Sequence, residues 1–271
     1  FPTRRSSDLY DEDWAGADHG VTSDIKTATF TPMVAYKATD KLSLGAGLQI
    51  QYVWAHLTNG NLQKTQTKSV SLNGDAIDLG YQLGMMYEFT PSTRIGIGYR
   101  SEIKHKIKGD MKSSGSAYAQ STTPYIAAQG AMANALLNQD ISAKLNTPAM
   151  LSLGIYHDVN ERLALMAEYQ RVFWSSFREL TFVSREGNNR QGADYISQVH
   201  EHWRDTNFYA IGASYMLDEQ WKLRLGLAYD QSAVRLQHRT PRIPDSDRVW
   251  YSAGLGYQYS ENLSKFLSDF F

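Results

Sequence analysis

The sequence predicts an all-β protein: an antiparallel transmembrane β-barrel of which this chain carries about nine or ten strands. Three observations predict it. Apolar residues recur at every second position along most of the chain. Short and long connections alternate, so that all tight turns fall on one side of the sheet. An aromatic residue stands where a strand enters each tight turn. Strict alternation marks an extended strand with one apolar face. Uniformly short turns at one end, long loops at the other and aromatics at a common height are the plan of an outer-membrane barrel.

The strands follow in order near 24–38, 41–57, 75–90, 93–108, 148–158, 162–184, 203–217, 221–231 and 247–259. Pro32 in the first removes a ladder donor, which an edge or a bulge would accommodate. The second, KLSLGAGLQIQYVWAH, sets Leu42, Leu44, Ala46, Leu48, Ile50, Tyr52 and Trp54 against Lys41, Ser43, Gly45, Gly47, Gln49 and Gln51. The fourth, TRIGIGYRSEIKHKI, sets Ile95, Ile97, Tyr99, Ile103 and Ile107 against Arg94, Arg100, Glu102, Lys104 and Lys106. The eighth, WKLRLGLAYD, repeats the pattern with Trp221, Leu223, Leu225, Leu227 and Tyr229. In a barrel the first row of each pair faces lipid and the second faces a wet lumen.

The joints beginning at Tyr36, Tyr87, Tyr156, Tyr215 and Tyr257 share one plan: an aromatic, a tight polar turn and a returning strand. These are the periplasmic turns, and 58–74, 109–147, 185–202 and 232–246 are the external loops. A soluble sandwich also alternates, but it mixes loop lengths between its ends. Within the second long loop, Ile126, Ala127, Ala131, Ala135, Leu136 and Ile141 recur at near-helical spacing between Pro124 and Pro148. This spacing predicts a helical segment near 124–143, packed on the loop's own small core or capping the external mouth. Residues 1–9, FPTRRSSDL, resemble translated adapter sequence, which leaves 10–271 as the barrel domain.

Composition narrows the function. The 271 residues carry 27 Lys and Arg against 28 Asp and Glu, with no basic run, so nothing calls for a nucleic-acid partner. Mean hydropathy is -0.45 and no run of ~18 apolar residues occurs. A transmembrane helix is thereby excluded, but not a barrel, whose strands hide their apolar half in alternation. With 0 cysteines there is no disulfide and no thiolate metal site. The 7 histidines show no metal spacing. His200 and His202 could ligate a metal only with further groups. No GxSxG elbow appears, and GIGYR lies in a strand with no helix start behind it, so no hydrolase or phosphate site is marked. No cofactor is expected and no enzymatic activity.

The segment RTPRIPDSDRVWYSAGLGY, from Arg239 to Tyr257, resembles the FadL-type outer-membrane transporters of long-chain fatty acids and other hydrophobic compounds. GYRSEIKHKIKGD, NTPAMLSLGIYHDVNERLALMAEYQ, WSSF and WRDTNFYAIGASY resemble the same family in the same order, over roughly residues 11–263. The resemblance implies a fourteen-stranded barrel, an N-terminal hatch and external loops that collect substrate. Against that plan the chain lacks the hatch, about three leading strands and the last one or two. The tail SKFLSDFF departs from alternation. Two open edges would remain, which bilayer hydrocarbon cannot satisfy.

The implied activity is passive transport of a long-chain fatty acid or similar hydrophobic molecule through a binding barrel in the outer membrane of a Gram-negative bacterium. Outer-membrane lipid and lipopolysaccharide would surround it. A general porin, an outer-membrane lipid hydrolase and a soluble binding sandwich are the alternatives. In the family, basic groups near the mouth meet the substrate carboxylate. Here the matching loop reads SQVHEH, so Arg190 and His200 are the substitutes, and a less acidic ligand is the other reading. Arg100 and Lys104 face the lumen by parity, either as part of a substrate path or as mutually compensating charges. Trp174 and Phe177 line an apolar pocket or belong to an aromatic belt.

Overall fold

Short polar turns of one design set the strand order. Thr39 Oγ1 accepts hydrogen bonds from the backbone N–H groups of Lys41 and Leu42. Asn160 Oδ1 accepts from Arg162 and Leu163, and Asp218 Oδ1 from Gln220 and Trp221. In each case a short polar side chain satisfies the turn's own donors and reverses the chain within a few residues.

In the computed structural model, residues 10, 20–59, 69–114, 139–185, 195–240, 243–260 and 263–270 are described. They form β1 (Thr22–Phe30), β2 (Met33–Lys37), β3 (Leu42–Asn59), β4 (Ser69–Thr90), β5 (Thr93–Arg100), β6 (Ile103–Ser114), β7 (Gln139–Thr147), β8 (Met150–Asp158), β9 (Leu163–Val172), β10 (Glu179–Ser184), β11 (Tyr195–His200), β12 (Thr206–Met216), β13 (Trp221–Asp230), β14 (Arg248–Ser260) and β15 (Leu263–Phe270). All belong to one 15-stranded sheet. Every pairing in it is antiparallel.

The fifteen strands occupy ten tracks, because five tracks are each interrupted once. β1 and β2 both pair with β3, and β5 and β6 both pair with β4. β7 with β8, β9 with β10, and β11 with β12 divide in the same way. The interruption between β1 and β2 is at Thr31 and Pro32, on a track that pairs only with β3 among the described residues. Pro32 therefore sits on an edge, and its carbonyl still accepts from Leu48 N–H. At the other end, β11 and β15 also have one neighbour each among the described residues.

Alternation places a large apolar surface on the convex side. Leu44, Leu48, Ile77, Leu79, Tyr81, Leu83, Ile97, Leu153, Ile155, Ile211, Leu225 and Leu227 are all exposed. Among the described residues no second sheet covers them, which argues against a sandwich. A patch of this size on a water-soluble protein would be an aggregation surface, whereas in lipid it is the favoured face.

The structure corrects four expectations. The last residues of the predicted helix, Gln139–Ala143, are the start of β7, and the remainder of 124–143 lies outside the described residues. The tail that broke alternation is strand β15, paired with β14 from Ser252↔Phe270 to Ser260↔Leu263. Tyr156 turns to the inner face, where the Arg94 guanidinium lies 4.1 Å from its ring centroid, and so stands apart from the lipid-facing aromatics. Finally, Lys104 and Lys106 do not face the lumen. The β4–β5 register pairs Gln82 with Arg100, while the β4–β6 register pairs Asp75 with Lys108. One extra residue at Ser101–Glu102 thus separates the two registers and reverses the alternation. Ile103, His105, Ile107 and Met111 become buried, and Lys104, Lys106, Lys108 and Lys112 become exposed.

Candidate functional site

The inner face changes character along the barrel axis. Toward the short turns it carries Gly45, Gly47, Gln82, Gly84, Arg94, Gly96, Gly98, Arg100, Ser152 and Gly154, matched across β3, β4, β5 and β8. Toward the long connections the same face is apolar. Val53, Leu57, Ile107, Met111, Ile141, Ala143, Phe177, Leu180 and Phe182 form one buried cluster, with Ile25, Ala55, Leu72, Ala76, Leu145, Trp174 and Trp203 packed on it. On β3 the switch from Gln49 and Gln51 to Val53, Ala55 and Leu57 occurs without a change of parity.

Between the halves runs a belt of polar contacts. His105, 1% exposed, places Nδ1 3.0 Å from Asp78 Oδ2 and Nε2 2.8 Å from Gln51 Oε1. Thr147 Oγ1 donates to Gln51 Oε1 at 3.0 Å, and Gln51 Nε2 donates to Thr29 Oγ1 at 2.7 Å. Gln49 Nε2 donates to Gln82 Oε1 at 3.3 Å. Five tracks are joined by these side chains, which close the floor beneath the apolar cluster. The histidine row Ile103-x-His105-x-Ile107 carried the one available signal: an imidazole at an apolar parity needs a buried partner.

Above the floor lies a pocket lined by Ile25, Leu57, Ile107, Ile141, Phe177 and Phe182 together with Ile243 from the connection before β14. Its free space is about 30 Å³, small beside the roughly 300–1,000 Å³ of a small-molecule site. A bulky guest therefore enters by displacing side chains. At its margin Trp203 packs edge-on against both Phe177 and Trp174, with ring centroids 4.8 and 5.0 Å apart. These aromatics come from the two track interruptions, 173–178 and 201–205. Asp205 ties the two together, accepting from Ser175 N–H at 3.0 Å and from Arg171 at 3.2 Å.

The connection that brings Ile243 inward is itself anchored. Asp247 accepts from the Tyr229 hydroxyl at 2.6 Å and from Ser232 N–H at 2.8 Å, and Asp245 accepts from Ser232 Oγ at 2.9 Å. The Tyr229 hydroxyl first, then Ser232 N–H, hold the Asp247 carboxyl below its ordinary range. Partial burial opposes them, and the charges of Arg204 and Arg239 add to the lowering.

Of the residues singled out in the sequence, the structure brings Trp174 and Phe177 to the pocket and puts Arg100 on the inner face below it. Lys104 is outside, with its side chain 76% exposed. His200 is exposed opposite Glu179, on the strand face away from Leu180 and Phe182, with Nδ1 3.7 Å from the Glu179 carboxylate. Arg190 lies outside the described residues. Among the described residues no group of three metal-ligating side chains converges.

Comparison with known proteins agrees with this architecture. Residues 6–265 match the family described as outer membrane protein transport protein (OMPP1/FadL/TodX). The chain is 30% identical to the long-chain fatty acid transport protein of Salmonella typhi over 275 residues, covering 94% of this chain and 61% of that protein. The chain thus spans about three fifths of the length of that curated relative. Among solved structures, a FadL homologue from Pseudomonas aeruginosa superposes with a TM-score of 0.82 at 27% identity, over 96% of this chain and 64% of the other. The toluene transporter TbuX of Ralstonia pickettii shares the fold at a TM-score of 0.65 and 22% identity, over 94% of this chain and 67% of the other. With an apolar chamber set in the outer half of a lipid-facing sheet, and a family match running almost end to end, this chain belongs to the OMPP1/FadL/TodX family of outer-membrane transport proteins.

Proposed function

We propose that this chain forms most of the wall and the binding chamber of a passive outer-membrane transporter for long-chain fatty acids or other hydrophobic small molecules. The observation that carries it is the apolar cluster inside the half of the barrel nearest the long connections. A polar-solute porin has no use for Ile107, Ile141, Phe177 and Phe182 facing its lumen, since such a lining dewets the path. A guest that displaces them exchanges apolar contacts for apolar contacts and gains about 25 cal/mol per Å² of its own surface removed from water. Among the described residues no nucleophile with an adjacent base lines this chamber, and the reading is transport without covalent chemistry. The Salmonella typhi relative is a long-chain fatty acid transport protein and the Ralstonia pickettii structure a toluene transporter. Both kinds of guest suit an apolar chamber.

Arg100, below the floor on the inner face, is the group placed to meet an acidic head on its way through, with Trp174 and Phe177 contacting the apolar portion above. Outer-membrane lipid and lipopolysaccharide supply the surroundings of the convex face. Uptake tests the proposal. Cells lacking the full-length gene should lose accumulation of at least one labelled fatty acid or hydrocarbon, and the restored gene should return it. Unchanged uptake of every such compound would overturn the reading. Steady ion current through the purified protein in planar bilayers would favour the porin instead.

A further inference from the structure

The alternation reversal at Ser101–Glu102 has an outward consequence as well as an inward one. It puts Lys104, Lys106, Lys108 and Lys112 on the convex face of β6, all exposed. β7 adds Lys144, exposed and directly opposite Lys106 in the ladder. Like charges facing each other across a strand pair are destabilising unless an anion lies between them. The acidic groups on this face do not supply one. Glu102 lies 3.9 Å from Lys104, Asp110 pairs with Lys112 at 3.1 Å, and Asp75 stands across from Lys108. Lys106 and Lys144 have no ion-pair partner within 4.0 Å among the described residues, whereas Asp140 at the upper rim is taken by Arg185 at 3.7 Å.

The height of the cluster is equally specific. On neighbouring β4 the same face carries Ile77 and Leu79, exposed by 66 and 62% and level with Lys106 and Lys104, and Tyr81, 50% exposed, just below them. The lysines therefore start at the upper end of the lipid-facing band and run beyond it, on the side of the long connections. On the outer-membrane reading, on which this inference rests, that is the boundary between the outer leaflet's acyl chains and its head groups. The side chains leave the sheet roughly 6–7 Å apart along β6 and about 5 Å apart across to β7, so their ammonium groups can converge on the phosphates of a sugar head group while their apolar stems lie along the acyl boundary.

We propose that Lys104, Lys106, Lys108 and Lys144 form a binding site for the phosphorylated head group of the outer leaflet's glycolipid. The site holds the barrel at a fixed depth and supplies the missing counter-charge between Lys106 and Lys144.

The test uses full-length protein folded in detergent and native mass spectrometry with three probes: bis-phosphorylated lipid A, its dephosphorylated form and inorganic phosphate. Each lysine near a membrane surface contributes about fivefold in affinity. Lys106→Gln with Lys144→Gln should therefore weaken binding of the phosphorylated lipid about 25-fold, leave the dephosphorylated lipid unaffected and leave the folded band on an unboiled gel in place. Equal binding of both lipids by the unmodified protein would overturn the site. So would displacement of the lipid by equimolar inorganic phosphate, which would make it a free-anion site. If the double variant does not fold, a salt series on the unmodified protein decides: affinity for the phosphorylated lipid must fall steeply as salt rises toward ~1 M, and a flat response overturns the proposal. Insertion into uncharged phospholipid vesicles tests the barrel reading alone, so the two failures can be told apart.

Discussion

His105 shows how much one side chain on the inner face can carry. It is buried with both ring nitrogens engaged, by Asp78 and Gln51. His105→Leu leaves a carboxylate and an amide without that partner at the base of an apolar chamber, at a cost of about 1–3 kcal/mol. A lowered urea midpoint, partly restored in His105→Gln, is the expected result. Four residues on, Gly109 stands opposite Gly74, and a Cβ at Gly109 would fall on the backbone carbonyl oxygen of Asn73. No side chain can move aside there, so Gly109→Ala should separate β4 from β6 and destabilise by about 3 kcal/mol or more, read from the same midpoint. Asp247 gives a pH prediction. Its carboxyl sits below the unfolded value, so its anchoring is complete above about pH 4 and is lost as pH falls through the lower folded value. The melting-temperature gap between the unmodified protein and Asp247→Asn should stay constant from neutral pH down to about pH 5, then narrow as pH falls through the lowered folded value.

At the scale of the strand, the inserted residue at Ser101–Glu102 does most to shape the molecule. It delivers isoleucines to the chamber and lysines to the exterior from a segment whose plain alternation reads the other way. Deleting Glu102 should remove the bulge and give one continuous register with β4, with Ile103 and His105 still inward and Lys104 and Lys106 still outward, so the heat-resistant folded band should persist. Loss of that band would show that the bulge itself is required, beyond the facing it produces. Alternation is readable because each strand obeys it locally, and all nine predicted segments lie on strand tracks. The reversal is not readable in the same way, since IGIGYRSEIKHKI keeps Ile and Tyr at odd positions on both sides of the break, with His105 as the exception beyond it. Only the pairing with β4 reveals the slip. The β7 start was hidden for a related reason, because Ile141 and Ala143 fit a helical spacing and a strand spacing alike.

For the whole molecule, transport should follow the apolar chamber and not the net charge. Phe177→Glu places a carboxylate among Leu180, Ile141 and Trp203, and should reduce uptake of a hydrophobic substrate at least ~10-fold, since that is about 1.4 kcal/mol of lost guest affinity. The folded band should persist, because Phe177 lies in a track interruption outside the ladders. Phe177→Leu should retain most uptake. Equal uptake by Phe177→Glu would remove the chamber from the path.

By itself the sequence determined that this chain is a one-sided apolar sheet with tight turns at one end, because period-two patterning and turn chemistry are local properties of neighbouring residues. The resemblance of its particular segments also identified the family. Which way each row faces beyond a break, where Lys104 and His105 point, and that Ile243 meets residues more than a hundred positions away were decided only in the tertiary structure. Those facts depend on the register between strands, a relation among residues far apart in the chain that a single added residue can invert.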